Sequence, residues 1–325
     1  MRIRSITNSY LRPAVLSLGT ASLGADIDRA TSFKILDAYL AKGGNFIDTA
    51  NVYSDWIPGE KSRSEKLIGA WMKERKNRDQ VILATKGGHP NPPTFQIPRL
   101  TAQEISADLD TSLSHLQVDC VDLYWLHRDD PKQPVADLME TLAGYVRAGK
   151  IRYYGCSNWR VDRIQAAQTY AAANGLPGFV GVQNLWNLAK IDPENLQDPT
   201  HAGMDEALWQ YHRTTQLAAM PFTSQANGLF QKLETGQVER LSPGMRKMVL
   251  NPETQARFER LLTLKAETGL TATQVVLAYL TSQPFPTFPV IGPQNTAQLE
   301  DCLSAADVML SPDQIRFLLR PNANV

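Results

Sequence analysis

The stretch "GGNFIDTANVYSD", Gly43 to Asp55, decides how the chain reads. Phe46 and Ile47 begin a short apolar strand that runs straight into a carboxylate, Asp48, and five residues later a phenol, Tyr53. An aspartate near a strand end usually makes a turn, so the pair alone carries little. Its weight comes from repetition. "VILATK" (81–86) ends on Lys86 and "CVDLYWLH" (120–127) ends on His127. Further strand-like runs are "LSLGT" (16–20), "YYGCSN" (153–158), "GFVGVQN" (178–184), "LAAMPFTS" (217–224) and "TFPVIG" (287–292).

Successive starts lie 29, 36, 39, 33, 25, 39 and 70 residues apart. Most of these steps have room for one strand, one helix and two loops. The segments between them read as amphipathic helices. In "TAQEISADLDTSLSHL", Thr101 and Glu104 form a capping-box signature, and Ile105, Leu109, Leu113 and Leu116 follow at helical spacing. Thr271 and Gln274 repeat the start signal, while Pro134 and Gly149 bracket a further helix in the expected order. Strands alternating with helices imply a parallel sheet, and eight such units imply an α/β fold of the closed (β/α)8 TIM-barrel type. An open doubly wound sheet is the other candidate, weakened because no G-x-G-x-x-G follows any strand. The last interval is some thirty residues too long; its segment 226–250 and a further helix (251–269) read as a functional excursion at the C-terminal face. No linker divides the chain, so a single barrel domain over 1–325 is expected.

Composition excludes several function classes. The 325 residues carry 33 basic and 33 acidic side chains, so no net field favours nucleic acid or an anionic membrane. No continuous apolar run is long enough for a membrane span. The start "MRIRSITNSYLRPAVLSLG" lacks the form of a secretory leader. Cys120, Cys156 and Cys302 are few and far apart, which suits reduced thiols and a cytoplasmic setting. No CxxC or close histidine pair suggests a metal site.

In a parallel barrel all C-terminal strand ends open on one face, which would gather Asp48, Tyr53, Lys86 and His127. Each has a physical task there. Lys86 follows an apolar run, so its ammonium needs an anion, and Asp48 can supply one. A cation close to Tyr53 is expected to lower the phenol from its reference pKa near ~10. His127 can aim an N–H at a carbonyl oxygen. Such a group protonates an oxygen as negative charge develops on it. Taken singly, Lys86 could snorkel to water beside "GGHP", and His127 could simply bond Asp129 or Asp130; together the four favour catalysis.

"FIDTANVY", "ATKGG", "LHRDD", "GCSNW" and "VIGPQNTAQLED", in that order, resemble the aldo-keto reductase superfamily over nearly the whole chain. The resemblance implies a (β/α)8 barrel, NADP or NAD as cofactor, no metal, and interconversion of a carbonyl and its alcohol by an Asp48–Tyr53–Lys86–His127 tetrad, with Tyr53 as the acid or base. It implies that Ser157, Asn158 and Gln183 bond the nicotinamide carboxamide and that Phe222 stacks on its ring. Thr223, Ser224, Gln225, Asn227 and Gly228 would wrap the pyrophosphate, and Gly19, Thr20, Ala21 and Asp48 would also bind the cofactor. Gln294, Gln298 and Asp301 would meet the adenosine. Many relatives place Arg or Lys where this chain has Gln294 and Gln298, so NADH is expected to be tolerated, with a weaker preference for NADPH.

Residues just past the strand ends suggest the substrate. Trp56 and Trp186 offer flat faces, and Arg128, Asp129 and Asn187 offer hydrogen bonds, a mixture suited to a polyhydroxylated carbonyl such as a sugar. The tail "RPNANV" is short, leaving little chain to close over a bulky ligand. The partner is thus a small carbonyl or hydroxyl compound, and the oligomeric state is left open. Two other functions compete: a barrel lyase forming a Schiff base on Lys86, and a nicotinamide-binding regulatory module without turnover.

Overall fold

The computed structural model describes residues 1–91 and 94–320; the last five residues of the tail "RPNANV" lie outside that range. Eight strands run in parallel: β1 (Ser17–Gly19), β2 (Phe46–Asp48), β3 (Ile82–Gly87), β4 (Val121–Leu126), β5 (Ile151–Ser157), β6 (Gly181–Gln183), β7 (Ala218–Ala219) and β8 (Val290–Ile291). From β1 to β7 each strand pairs with its sequence neighbour, and β8 pairs with β1. The sheet curls until Ala219 of β7 bridges Thr287, just before β8. Backbone bonds from Phe288 N to Ala219 O (2.8 Å) and Val290 N to Pro221 O (2.9 Å) seal that seam.

Helices α1 (Arg29–Ala41), α2 (Arg63–Arg75), α3 (Ala102–Leu116), α4 (Val135–Arg147), α5 (Val161–Ala173) and α6 (Glu206–Thr215) follow β1 to β6 in turn. The capping signals act as read: Thr101 and Glu104 bond reciprocally at the start of α3. The long seventh interval holds α7 (Leu229–Glu234), α8 (Pro243–Val249), α9 (Pro252–Thr268) and α10 (Ala272–Thr281). Far from being a bare loop, it builds its own core of Phe230, Met245, Val249, Leu261 and Val276. Helices α11 (Thr296–Leu303) and α12 (Pro312–Leu319) complete the chain; α10 and α12 both start with the reciprocal Ser/Thr–Gln bonds of a capping box.

Strand alternation explains where the polar residues go. Phe46, Ala84, Leu123, Trp125 and Phe288 fill the barrel interior with Ile6 and Leu11 from the N-terminal hairpin, whereas Ile47, Tyr124, Leu126 and Val182 face the helices. Period two then returns Asp48 inward two residues after Phe46, Lys86 two after Ala84, and His127 two after Trp125. The registers Asp48↔Ala84 and Lys86↔Trp125 keep these positions at one end. Trp125 needs room to fill the barrel: a Cβ on Gly155 would stand 2.3 Å from its ring. No helix of the described residues is long and apolar enough to cross a membrane.

Candidate active site

The side chains that end β2, β3 and β4 converge. Lys86 Nζ donates to Asp48 Oδ2 at 2.6 Å, to the Thr49 carbonyl at 2.8 Å and to the Tyr53 hydroxyl at 2.8 Å. Lysine has three donors, so the ammonium is saturated. Lys86 and Asp48 side chains are 0% and 1% exposed. Gln183 Nε2 holds the other carboxylate oxygen, Oδ1, at 3.0 Å. Because Tyr53 accepts from Lys86, its own O–H proton remains free to donate outward. Tyr53 is half-buried, packed edge-on against His127 with ring centroids 5.9 Å apart and against Trp56 at 6.4 Å.

Burial alone would drive the Lys86 ammonium down, but Asp48 and Tyr53 more than offset it, and its pKa is raised. Tyr53 differs from the expectation. Burial pushes the phenol above its ordinary value; Lys86 pulls down and Asp48 pushes up, and the ammonium does not win. The desolvation that accompanies the cation outweighs its pull. His127 is held well below the usual imidazole range by burial, then by His89, Arg128 and Lys86, so it is neutral. Its Nδ1 is buried without a partner. An orphaned acceptor is more tolerable than an orphaned N–H, which favours the tautomer carrying its proton on Nε2.

A cleft of about 910 Å³ runs from Tyr53 between the end of β1, the loop after β7 and the start of α11. Gly19, Thr20, Ala21, Phe222, Thr223, Ser224, Gln225, Asn227, Gly228, Gln294, Gln298 and Asp301, all expected near the cofactor, line it. In the loop after β7, Thr223, Ala226 and Asn227 take positive φ angles of 51°, 47° and 54°. Left-handed backbone is costly for a β-branched residue. Among the described residues, the N–H groups of Thr223, Ser224, Gln225 and Asn227 meet no protein acceptor. Strained backbone with several unspent donors is how chains cradle phosphate, so the cleft fits a dinucleotide.

Ser157, Asn158 and Gln183 lie beside this cleft rather than along it, and they are already engaged. Ser157 Oγ donates to the Gln183 carbonyl at 2.6 Å, and Asn158 Nδ2 to the His127 carbonyl at 3.2 Å. Gln298 Oε1 accepts from Gln294 N at 2.9 Å, and Asp301 accepts from Thr273 Oγ1.

Two substrate expectations need correction. Trp186 is only 7% exposed and packs against Tyr279 and Phe285, so it belongs to the second core and does not face substrate. Arg128 is buried, and its guanidinium is committed to Asp198 (2.9 Å), Thr200 (2.8 Å), His201 (3.1 Å) and the His127 carbonyl (2.9 Å). It positions the loop after β6. Asp129 pairs with Arg163, and Asn187 braces the loop at Thr223. Of the substrate set, Trp56 alone stands exposed beside Tyr53.

The sequence reading missed Lys232 and Arg240, which line the same cleft. Among the described residues the Arg240 side chain has no ion-pair or hydrogen-bond partner, while the Lys232 ammonium bonds only the Asn227 carbonyl. Burial and then Arg240 lower the Lys232 pKa. Their only sequence signal is position, four and twelve residues after Gly228. His89 and His201 were also missed; their rings border His127 and Phe222. Among the described residues no His, Cys, Asp and Glu cluster could hold a metal ion.

A parallel eight-stranded barrel with a saturated ammonium beside a phenol, open to a dinucleotide-sized cleft, defines a class of nicotinamide-dependent oxidoreductase. The chain belongs to the aldo/keto reductase family, whose description matches residues 15–318. It is 32% identical to an aryl-alcohol dehydrogenase [NADP(+)] of Phanerodontia chrysosporium, over 95% of this chain and 82% of that protein. It is 30% identical to norsolorinic acid reductase A of Aspergillus parasiticus, over 94% and 77%, and to the uncharacterized oxidoreductase YrpG of Bacillus subtilis, over 95% and 92%. The thermostable aldo-keto reductase Tm1743, solved with the inhibitor epalrestat, shares the fold with a TM-score of 0.74 at 21% identity, covering 98% of this chain and 99% of that one.

Proposed function

We propose that this protein reduces a carbonyl compound to its alcohol with NADPH, Tyr53 giving the proton. The observation that carries this reading is Lys86 Nζ bonded at once to Asp48 and Tyr53. A bound reduced nicotinamide would supply the hydride to the carbonyl carbon. This chain's residues do the rest. A phenol with a raised pKa holds its proton at neutral pH and is an acid in the reducing direction. As the proton leaves for the carbonyl oxygen, the phenolate that forms is met by the Lys86 ammonium. Neutral His127 orients the same oxygen through its Nε2–H. In oxidation the flow reverses, with Tyr53 as base.

The unspent N–H groups of residues 223–227 support pyrophosphate binding, and Phe222 offers a face to the nicotinamide. Ser157, Asn158 and Gln183 would serve the carboxamide only by exchanging their present bonds. Lys232 and Arg240 bear on the choice of cofactor. Two cations with no carboxylate partner suit the additional phosphate of NADPH, which argues against the tolerance of NADH expected from Gln294 and Gln298 alone. The exposed ring of Trp56 and the name of the Phanerodontia relative favour an aryl aldehyde over a sugar. A Schiff base on Lys86 is disfavoured because a nucleophilic lysine must be neutral, and this one is held charged. The test is a panel of aryl and sugar aldehydes with each cofactor, followed by loss of reduced nicotinamide. Consumption of NADPH with aryl aldehydes is expected; no consumption with any carbonyl would favour the non-catalytic binding module.

A further inference from the structure

Beyond the tetrad, two further imidazoles stand near His127. The ring of His89, in the loop after β3, stands 4.7 Å from that of His127. The ring of His201, in the loop after β6, lies 5.2 Å from that of Phe222. Neither lines the 910 Å³ cleft. Both act electrostatically on His127, and His89 acts on His201, so the two rings share one neighbourhood beside the tetrad.

Their hydrogen bonds fix their tautomers. His89 Nδ1 lies 2.7 Å from the Pro90 carbonyl, which can only accept. Nδ1 therefore carries the proton, and Nε2 keeps a lone pair with no partner among the described residues. His201 Nε2 lies 3.1 Å from the Arg128 guanidinium, which can only donate. Nε2 therefore accepts, and the proton sits on Nδ1, again without a partner among the described residues. Burial, aided by Arg128, pushes both imidazoles down to about 4. Both rings are neutral at physiological pH. One offers a bare acceptor and the other a bare donor.

Around them is an apolar rim. Trp56 is 52% exposed and packs edge-on to Tyr53; Phe95 is 45% exposed and packs edge-on to His89 with centroids 6.1 Å apart. Large exposed aromatic rings at a site mouth cover flat apolar ligands. A hydroxyl is the small neutral group that can donate to one imidazole and accept from the other.

We propose that His89 and His201 select aryl carbonyl substrates bearing a ring hydroxyl, the hydroxyl donating to His89 Nε2 and accepting from His201 Nδ1 while Trp56 and Phe95 cover the ring. The proposal rests on the carbonyl-reductase reading above and specifies the substrate class for it. A substrate without the hydroxyl would strip water from the two nitrogens and leave them unpaired, which is how sites built for a hydroxyl discriminate. An acidic or phosphorylated substrate is not what this wall recognises, because the buried cation that touches His201, Arg128, is already paired with Asp198.

The test compares 3- and 4-hydroxybenzaldehyde with the matching methoxybenzaldehydes, which keep the oxygen but cannot donate. The ratio of kcat/KM for hydroxy over methoxy substrate is measured for wild type, His89→Phe, His89→Gln and His201→Phe, with NADPH saturating. Each ratio is internal to one preparation, so it does not depend on how much of a variant folds. The wild-type ratio for the better-fitting isomer is expected to be roughly tenfold or more. It should collapse towards one in His89→Phe, recover in part in His89→Gln, whose side-chain carbonyl restores an acceptor, and fall in His201→Phe. A wild-type ratio near one for both isomers, or a ratio unmoved by His89→Phe, would overturn the proposal while leaving the reductase reading intact. Absence of NADPH consumption with every aldehyde would overturn both.

Discussion

Replacing Lys86 with methionine separates what the buried ion pair does for stability from what it does for chemistry. Methionine fills a similar volume but removes all three donors, to Asp48, Thr49 and Tyr53. The Asp48 carboxylate, 1% exposed, would then keep only the Gln183 amide as a partner. Breaking such a pair from one side typically costs about 3–5 kcal/mol, because the remaining charge is buried and uncompensated. The catalytic loss has a separate origin. At an effective dielectric near 20, an ammonium 2.8 Å from a phenolate oxygen stabilises it by roughly 6 kcal/mol, equivalent to about four pKa units at ~1.4 kcal/mol each. Without it, a phenol already raised by burial becomes a still poorer acid, and kcat should fall by roughly 10²–10⁴-fold. The assay is urea unfolding of wild type, Lys86→Met and the double variant Asp48→Asn/Lys86→Met, with kcat measured on each folded protein. The double variant has no buried charge left, so most of the stability returns while the activity does not. A single-variant loss below about 1 kcal/mol, or a double variant no more stable than Lys86→Met, would refute the reasoning.

Three further outcomes are expected. Lys232→Ala/Arg240→Ala should raise KM for NADPH by about tenfold or more while changing KM for NADH less, since each charge-assisted contact to phosphate contributes roughly 1.5–3 kcal/mol; equal effects on both cofactors would remove these cations from phosphate selection. Gly69→Ala should cost about 1–3 kcal/mol or more in unfolding free energy, because its Cβ would stand 2.3 Å from the His115 carbonyl oxygen and 2.9 Å from Leu116 C, both backbone; an unchanged melting temperature would contradict the close α2–α3 contact. His89, His201 and His212 are each pushed by burial to about 4. Folded values below the ordinary ~6.5 mean that the unfolded chain binds more protons between these limits. Their contribution is complete above about pH 6.5 and is lost as pH falls towards 4, so urea midpoints should drop steeply through that window. A flat profile between pH 6.5 and 4.5 would contradict the three depressed values.

The parts of the site that sequence made legible were those governed by local period. Asp48, Lys86 and His127 end apolar runs, and two-residue alternation alone sends all three to the inner face at one end of the barrel. The residues misread were those whose neighbours arrive from far along the chain. Trp186 looked like pocket lining because it follows β6, yet Phe285 and Tyr279, about a hundred residues later, enclose it. Arg128 looked free because Asp198 is 70 residues away. Lys232 and Arg240 were invisible for the opposite reason: nothing local distinguishes a lysine on a short helix from a solvated one until the cleft opposite is seen. Tyr53 shows a limit of kind rather than distance. A neighbouring cation can be read from spacing, but the loss of water that accompanies it cannot.

The most direct test is Tyr53→Phe, which removes one oxygen and leaves the ring that packs on His127 and Trp56. NADPH affinity, measured by titration of the purified protein, should remain close to wild type, because Tyr53 meets the cleft only at its end. Turnover of an aryl aldehyde should fall by roughly a hundredfold or more. Turnover within about tenfold of wild type, with cofactor binding intact, would contradict the assignment of the proton to this phenol.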